Sequence, residues 1–251
     1  MINFSSISEG SLPGKLLRGG LKLIPNAVVV RIMQGHLKGK KWIKGSGVNG
    51  YWLGTYELAQ QKIFQKYMKE GNVVFDIGAH VGFYTLLANQ LVGKKGKVFS
   101  FEPNPRNIIF FKKHMELNRC DTVTLFQKAV TEKSGRAAFD GSSGSATGFV
   151  VGVKDNASGQ KERIIKIETV AIDDLVFNKV IPSPDFIKID VEGSEMAVLR
   201  GAKRTLQEFS PRVFISSDQD ARDFLILLGY TLNAIGGDHN ESFAIKNNVR
   251  K

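Results

Sequence analysis

The chain has 251 residues, a mass of 27.7 kDa, 42% hydrophobic and 24% charged residues, which suits one substantial globular α/β core. No stretch approaches the roughly 20 apolar residues of a membrane-spanning helix, and Met1 to Ser6 lacks the basic-then-apolar pattern of a signal peptide. A formal charge of +11 and a pI near 9.7 admit anionic partners. The lysines at 38, 40, 41 and 44 and at 94, 95 and 97 are not interleaved with aromatics in an RNA-binding pattern, so a solvated surface is expected, with nucleic-acid binding the alternative. Cys120, the single cysteine, excludes an internal disulfide and a cysteine-cluster zinc site and fits a reducing, cytoplasmic setting.

Residues 1–50 read as an N-terminal extension or lid, and 51–251 as the main domain. Leu12 to Arg18 suits a short helix. Ala27 to Met33 and Leu37 to Ile43 suit the strands of a hairpin with exposed lysines, followed by turn signals at Gly45-Ser46-Gly47 and Asn49-Gly50. From Thr55 the spacing of Leu58, Ile63, Phe64 and Tyr67 predicts a helix closed by Gly71-Asn72. A strand ending in Asp76, a turn on Gly78 and Gly82, and a helix over 81–91 come next. Lys97 to Glu102 predicts a strand ending in an acid, Pro103-Asn104-Pro105 starts a helix reaching Asn118, and Val123 to Phe126 is a third strand.

The Gly/Ser/Ala-rich stretch 135–160 reads as a flexible loop between short edge strands. Strands are expected at 164–170, 186–190 and 213–216, a helix at 194–208, and a second helix capped by Asp218 and running to Leu228. Residues 230–235 and 242–245 form a closing hairpin. Alternating strands and helices imply a mostly parallel sheet with right-handed crossovers and an antiparallel C-terminal edge. Ligands of such sheets bind beyond the carboxyl ends of the strands, here 76–82, 102–104, 127–129, 190–193 and 216–218.

Asp76-Ile77-Gly78-Ala79-His80-Val81-Gly82 lacks the glycine spacing of a dinucleotide fingerprint. Its strand-end acid suits an ammonium group better than a pyrophosphate, and Gly82 is expected to let the backbone approach a ligand. Glu102, ending the next strand, can accept both hydroxyls of a ribose. Acid, turn and helix followed by strand and acid describe a site for S-adenosylmethionine.

Val74 to Gly82, Phe101-Glu102-Pro103-Asn104-Pro105 and Ile187-Lys188-Ile189-Asp190-Val191-Glu192-Gly193-Ser194-Glu195 resemble the FkbM-type methyltransferases. Leu53-Gly54-Thr55-Tyr56-Glu57, Leu199-Arg200-Gly201-Ala202 and Leu228-Gly229-Tyr230 extend the resemblance over residues 50–235. It implies a Rossmann-like class I methyltransferase fold with a seven-stranded, mostly parallel sheet and methyl transfer from S-adenosylmethionine to a hydroxyl of a sugar, glycan or small metabolite. Carried onto this chain, Asp76, Gly78, Ala79 and Gly82 would surround the methionine moiety. Glu102 would hold the ribose, Pro103 and Asn104 would shape the adenine pocket, and Gln127, Lys128 and Ala129 would lie beside the ring. Glu57 would meet the ammonium or the acceptor; its competing role is a helix N-terminal acid.

Asp190 and Glu192 offer a base for the acceptor hydroxyl or oxygen ligands for magnesium, although no dedicated metal site is assigned. Glu195 fits the first turn of the following helix. Two departures from the family pattern stand out: Ser216-Ser217 replaces an acid, with Asp218 displaced from it, and His80 sits where many methyltransferases carry glycine. His80 is expected to pack at the cofactor turn, with a base as its alternative. RNA methylation, prompted by the charge, and a non-catalytic protein that binds cofactor or partners, prompted by Ser216, are the competing functions.

Overall fold

A computed structural model describes residues 25–140, 149–150, 164–191, 193–216, 218–235 and 238–246. The expected helix at 12–18, the centre of the glycine-rich loop, Glu192 and Ser217 lie outside them. In chain order the elements are β1 (Val29–Arg31), β2 (Lys41–Ile43), α1 (Gly50–Leu53), α2 (Leu58–Tyr67), β3 (Val73–Ile77), α3 (Phe83–Val92), β4 (Lys97–Phe101), α4 (Pro105–Asn118) and β5 (Val123–Phe126). There follow β6 (Ala129–Val130), β7 (Gly135–Asp140), β8 (Phe149–Val150), β9 (Ile164–Val170), α5 (Ile172–Phe177), β10 (Phe186–Ile189), α6 (Glu195–Gly201), α7 (Lys203–Phe209), β11 (Arg212–Ser216), α8 (Gln219–Leu227), β12 (Thr231–Ile235) and β13 (Asp238–Ile245).

The main sheet has seven strands in the order β12-β13-β11-β10-β3-β4-β5. Strands β11, β10, β3, β4 and β5 pair in parallel, and β13 and β12 form the antiparallel edge. Central parallel strands are covered on both faces, which explains why β10 is buried at every position. The period of two divides its residues between two cores. Val74, Phe186 and Phe214 join Trp42 and Phe64 on one face, while Phe75, Ile77, Ile187 and Ile189 join Phe101 and Leu206 on the other. A smaller sheet has the order β6-β9-β7-β8.

The helix expected across 194–208 is two helices. At Ala202 the backbone leaves the helical region (φ −115°, ψ 8°) just after Gly201, a poor helix former, and α7 starts at Lys203. The hairpin strands are shorter than expected because residues 37–40 fold as a turn: Lys40 N–H bonds to Leu37 O and Gly39 N–H to Ile32 O. The hairpin is built into the first core. Trp42 is buried and stacked on His114 of α4 at 3.7 Å between ring centres. Ile43 N–H donates to His114 Nε2 at 3.1 Å, and His114 Nδ1 lies 2.7 Å from Val81 O. Lys44 departs from the solvated-lysine expectation: it is buried, and its Nζ donates to Asn26 Oδ1.

Candidate active site

A cavity of about 340 Å³ opens at the carboxyl ends of the parallel strands. At one end stands Glu102, which follows β4. Its Oε2 accepts the His80 N–H at 2.8 Å, and its Oε1 accepts the Asn104 N–H at 2.8 Å and Asn107 Nδ2 at 3.3 Å. Burial outweighs these hydrogen bonds and pushes its pKa from 4.5 up to about 7. Asn104 caps α4 through its side-chain oxygen, which accepts the Arg106 N–H, and Pro105 fills the first helical position, where no donor is lost. Asn104 Nδ2 and Asn107 Oδ1 are buried without hydrogen-bond partners, and both residues line the cavity.

The turn after β3 lines the floor with Gly78, Ala79 and His80. Gly78 has φ +77°, and a Cβ there would sit 2.0 Å from the Asp190 carbonyl oxygen, so only glycine lets the two strand ends come together. Gly82 also has positive φ, but its Cα faces Met115 and Phe111 of α4 and it is not among the lining residues. Its smallness serves helix packing, which replaces the expected approach of backbone to ligand.

Asp76 is likewise displaced from its expected place. It lies beneath the floor, not in it, because the pleat turns its side chain into the first core. Lys188 is its register partner on β10, and Ser100 its partner on β4. Lys188 Nζ lies 3.4 Å from Asp76 Oδ1, Thr85 Oγ1 donates to Asp76 Oδ2 at 2.5 Å, and Thr85 and Ser100 hydroxyls are 2.9 Å apart. The result is a buried polar row across three strands.

Lys188, which sequence reasoning passed over, is the hub. Its side chain is 2% exposed, lies 3.2 Å from Asp190 Oδ2, and donates to Gly78 O at 3.2 Å. Burial alone would lower its pKa, but the Asp190 and Asp76 carboxylates raise it above the ordinary lysine value, so the ammonium stays charged. Asp190 by contrast is 45% exposed and faces the cavity.

The roof comes from the segment after the hairpin: Tyr51, Tyr56 and Glu57, joined by Phe83 and Tyr84 of α3. Glu57 is the N-cap residue of α2, the helix N-terminal position expected of it, with φ +43° and no side-chain cap bond. Its Oε2 accepts the Tyr84 hydroxyl at 2.5 Å, and Tyr56 is a further partner. Burial pushes the Tyr51 phenol up to about 12 and Tyr84 well above its usual value, which keeps both protonated as donors. Burial also raises the Glu57 pKa. His80 has φ +51°, and its Nδ1 lies 3.4 Å from Tyr51 Oη.

The far end is closed by Ser194, by Ser216 at the end of β11 and by Glu241 of β13. Ser216 and Glu241 are register partners across the antiparallel edge, and Gln60 Nε2 donates to Glu241 Oε2 at 2.5 Å. Glu241 had no signal in the sequence, because nothing local announces which residue of β13 faces Ser216. Beside Glu102, the second sheet contributes Ala129, Val130 and Phe139, with Lys128 held 2.8 Å from Glu168 Oε2. Pro103 lines this end; Gln127 is exposed and does not. Glu195 heads α6 and accepts the Gly193 N–H, and Asp218 caps α8 through the Ala221 N–H. Among the described residues no group of three or more His, Cys, Asp or Glu is placed to hold a metal ion.

A family model described as the methyltransferase FkbM domain matches residues 76–235. Hexuronic acid methyltransferase AglP of Haloferax volcanii is 29% identical over 161 residues, 64% of this chain and 62% of that protein. The 2-O-methyltransferase NoeI of Sinorhizobium fredii is 30% identical over 149 residues, 55% of this chain and 60% of that protein. The matches therefore span about three-fifths of the length of these curated relatives. A solved structure, methyltransferase FkbM from Methylobacillus flagellatus KT, aligns with 79% of this chain and 55% of that chain at 17% identity and a TM-score of 0.45. With well over half of its length matched by the family model, and with the strand order and cavity described above, the chain belongs to the FkbM methyltransferase family.

Proposed function

We propose that the chain transfers a methyl group from S-adenosylmethionine to a hydroxyl of a sugar or glycan. The observation that carries this reading is the polarity of one cavity, with a hydrogen-bonded buried carboxylate at one end and an exposed, lysine-held carboxylate in the middle. The residues fit the cofactor. Glu102 presents its carboxylate to a ribose, and the unpartnered Asn104 Nδ2 and Asn107 Oδ1 are a donor and an acceptor that a heterocycle can satisfy. Tyr84, Glu57 and the Gly78 turn lie where an ammonium and carboxylate would be held. When bound, the cofactor supplies an electrophilic methyl group on a sulfonium that leaves readily.

The protein's own work is placement and proton handling. Lys188 Nζ fixes Asp190 through Oδ2, which leaves Oδ1 to accept a hydrogen bond from an acceptor hydroxyl and then its proton. The buried partners of Lys188 hold that geometry in advance, so little reorganisation accompanies the reaction. Aromatic rings of Tyr51, Tyr56 and Phe83 cover the cavity and limit water. The names of the two relatives, one acting on a hexuronic acid and one a 2-O-methyltransferase, support a sugar hydroxyl as acceptor.

Two measurements test the reading. Calorimetric titration should show S-adenosylmethionine binding, and its absence would reject the cofactor assignment. Asp190→Asn should retain that binding within about threefold while turnover falls on the order of 100-fold or more, the usual scale for losing a general base. Undiminished turnover would remove Asp190 from the mechanism, and conversion of the cofactor by the wild type with an acceptor would reject a purely binding role.

A further inference from the structure

We infer that the sugar bearing the methylated hydroxyl is neutral or amine-bearing, with no carboxylate or phosphate of its own, and that Glu241 is the residue that selects it. This rests on the methyl-transfer reading above and deepens it.

The sheet order sets out the cavity. From Glu102 on β4 the rim passes β3, β10 and β11 to Glu241 on β13, four strand spacings or roughly 19 Å at about 4.8 Å each. Glu102, Asn104 and Asn107 fix the nucleoside at the first end. The acceptor is left with the opposite end, past Asp190, against Ser216 and Glu241.

Toward that end the described lining carries the acids Glu57, Asp190 and Glu241; the lysines of the cavity are Lys188 beside them and Lys128 at the Glu102 end. Both lysines are engaged: Lys128 by Glu168, and Lys188 by Asp76 as well as Asp190. No arginine is among the lining residues, so the bidentate donor that suits a carboxylate or phosphate is missing from the described wall. A uronate or a phosphorylated sugar would bring an anion into a partly dry site already holding Glu57, Asp190 and Glu241. Neutral hydroxyls and ammonium groups are donors, and carboxylates accept from them in strong charge-assisted bonds.

Glu241 is well placed to discriminate. Gln60 of α2 holds its Oε2, so the carboxylate is anchored between α2 and β13. Its register partner is Ser216. The carboxylate at this corner of the rim is thus supplied from the neighbouring antiparallel strand.

The test uses the full chain, labelled S-adenosylmethionine and a glycan extract from the source cells, followed by glycosidic hydrolysis and anion exchange of the labelled monosaccharides. Label should emerge on neutral or amino sugars. Label on uronates or sugar phosphates overturns the inference while leaving the methyl-transfer reading intact. Label on no sugar in either fraction overturns both. Glu241→Gln should lower transfer to the labelled acceptor about tenfold or more, the scale of one charge-assisted hydrogen bond, with unchanged cofactor affinity. Glu241→Lys should shift label toward anionic sugars. Unaltered rate and product distribution in both variants would remove Glu241 from selection.

Discussion

The two ends of the cavity are built by different means. The Glu102 end, proposed for the nucleoside, is local: Glu102, Asn104 and Asn107 lie within six residues, hydrogen-bond to one another and to the adjacent turn, and contain no ion pair. The opposite end, proposed for the acceptor, is assembled from Glu57, Lys188, Asp190, Ser216 and Glu241, which the strands β10, β11 and β13 and one helix entry bring together. It is ionic and aromatic. The difference teaches that the binding of a common cofactor can be carried by a short motif, whereas selection of an acceptor is carried by tertiary structure.

Substitutions can break that contrast. The largest effect is expected from Lys188→Met, which strands Asp76 as an uncompensated buried charge beneath the acceptor end. Stability should fall by about 3–5 kcal/mol in urea unfolding. Adding Asp76→Leu should restore most of it, since the buried pair as a whole contributes little net stability. A single variant as stable as the wild type would mean the row is solvated rather than buried.

At the nucleoside end, Glu102→Ala should weaken S-adenosylmethionine binding by on the order of 10- to 100-fold, the 1.5–3 kcal/mol of a charge-assisted hydrogen bond, with far less effect on folding. This site also predicts a pH signature. The folded chain holds the Glu102 proton between pH 4.5 and about 7, where the unfolded chain has released it, so stability falls as pH rises through that window. Glu102→Gln should remove the fall. His114 acts oppositely: burial lowers its pKa from 6.5 to about 4, and stability is lost as pH drops from 6.5 towards 4. That contribution is common to both proteins and cancels in their difference.

The smallest expected change is for Asn107→Ala, which removes one hydrogen bond to Glu102. Cofactor affinity should drop about fivefold, the equivalent of ~1 kcal/mol. A loss as large as that of Glu102→Ala would show that Asn107, not the carboxylate, organises the nucleoside end.

Most of the fold was legible in the sequence because alternating apolar strands and amphipathic helices are local patterns. Every strand of the main sheet was anticipated, and the Asp218 cap falls where its side chain suggests. The short strand β6 and helix α5 were not, since two residues and six residues leave no period to detect. In the site, Glu102 and the Gly78 turn could be placed because neighbours in sequence hold them. Asp76 could not. Its partner is 112 positions away, and only register shows that the two point to the same face. One clue did exist. Phe186-Ile187-Lys188-Ile189 is a fully apolar central strand but for one lysine, and a lysine there must be paired. Glu241 offered no such clue, being one polar residue in an antiparallel strand whose partners become known only once the chain is folded.

Two residues of the cavity, Glu57 and His80, hold left-handed backbone with φ of +43° and +51°. That conformation costs a side-chain-bearing residue about 1–2 kcal/mol, which the packing around them must offset. Glycine at either position would relax the chain, and at Glu57 it would also delete the carboxylate that Tyr84 and Tyr56 hold in place. Selection for thermal robustness alone would thus be drawn to Glu57 and return proteins that fold better and work worse. A glutamate kept in a glycine's conformation puts stability and activity in direct opposition at a single residue.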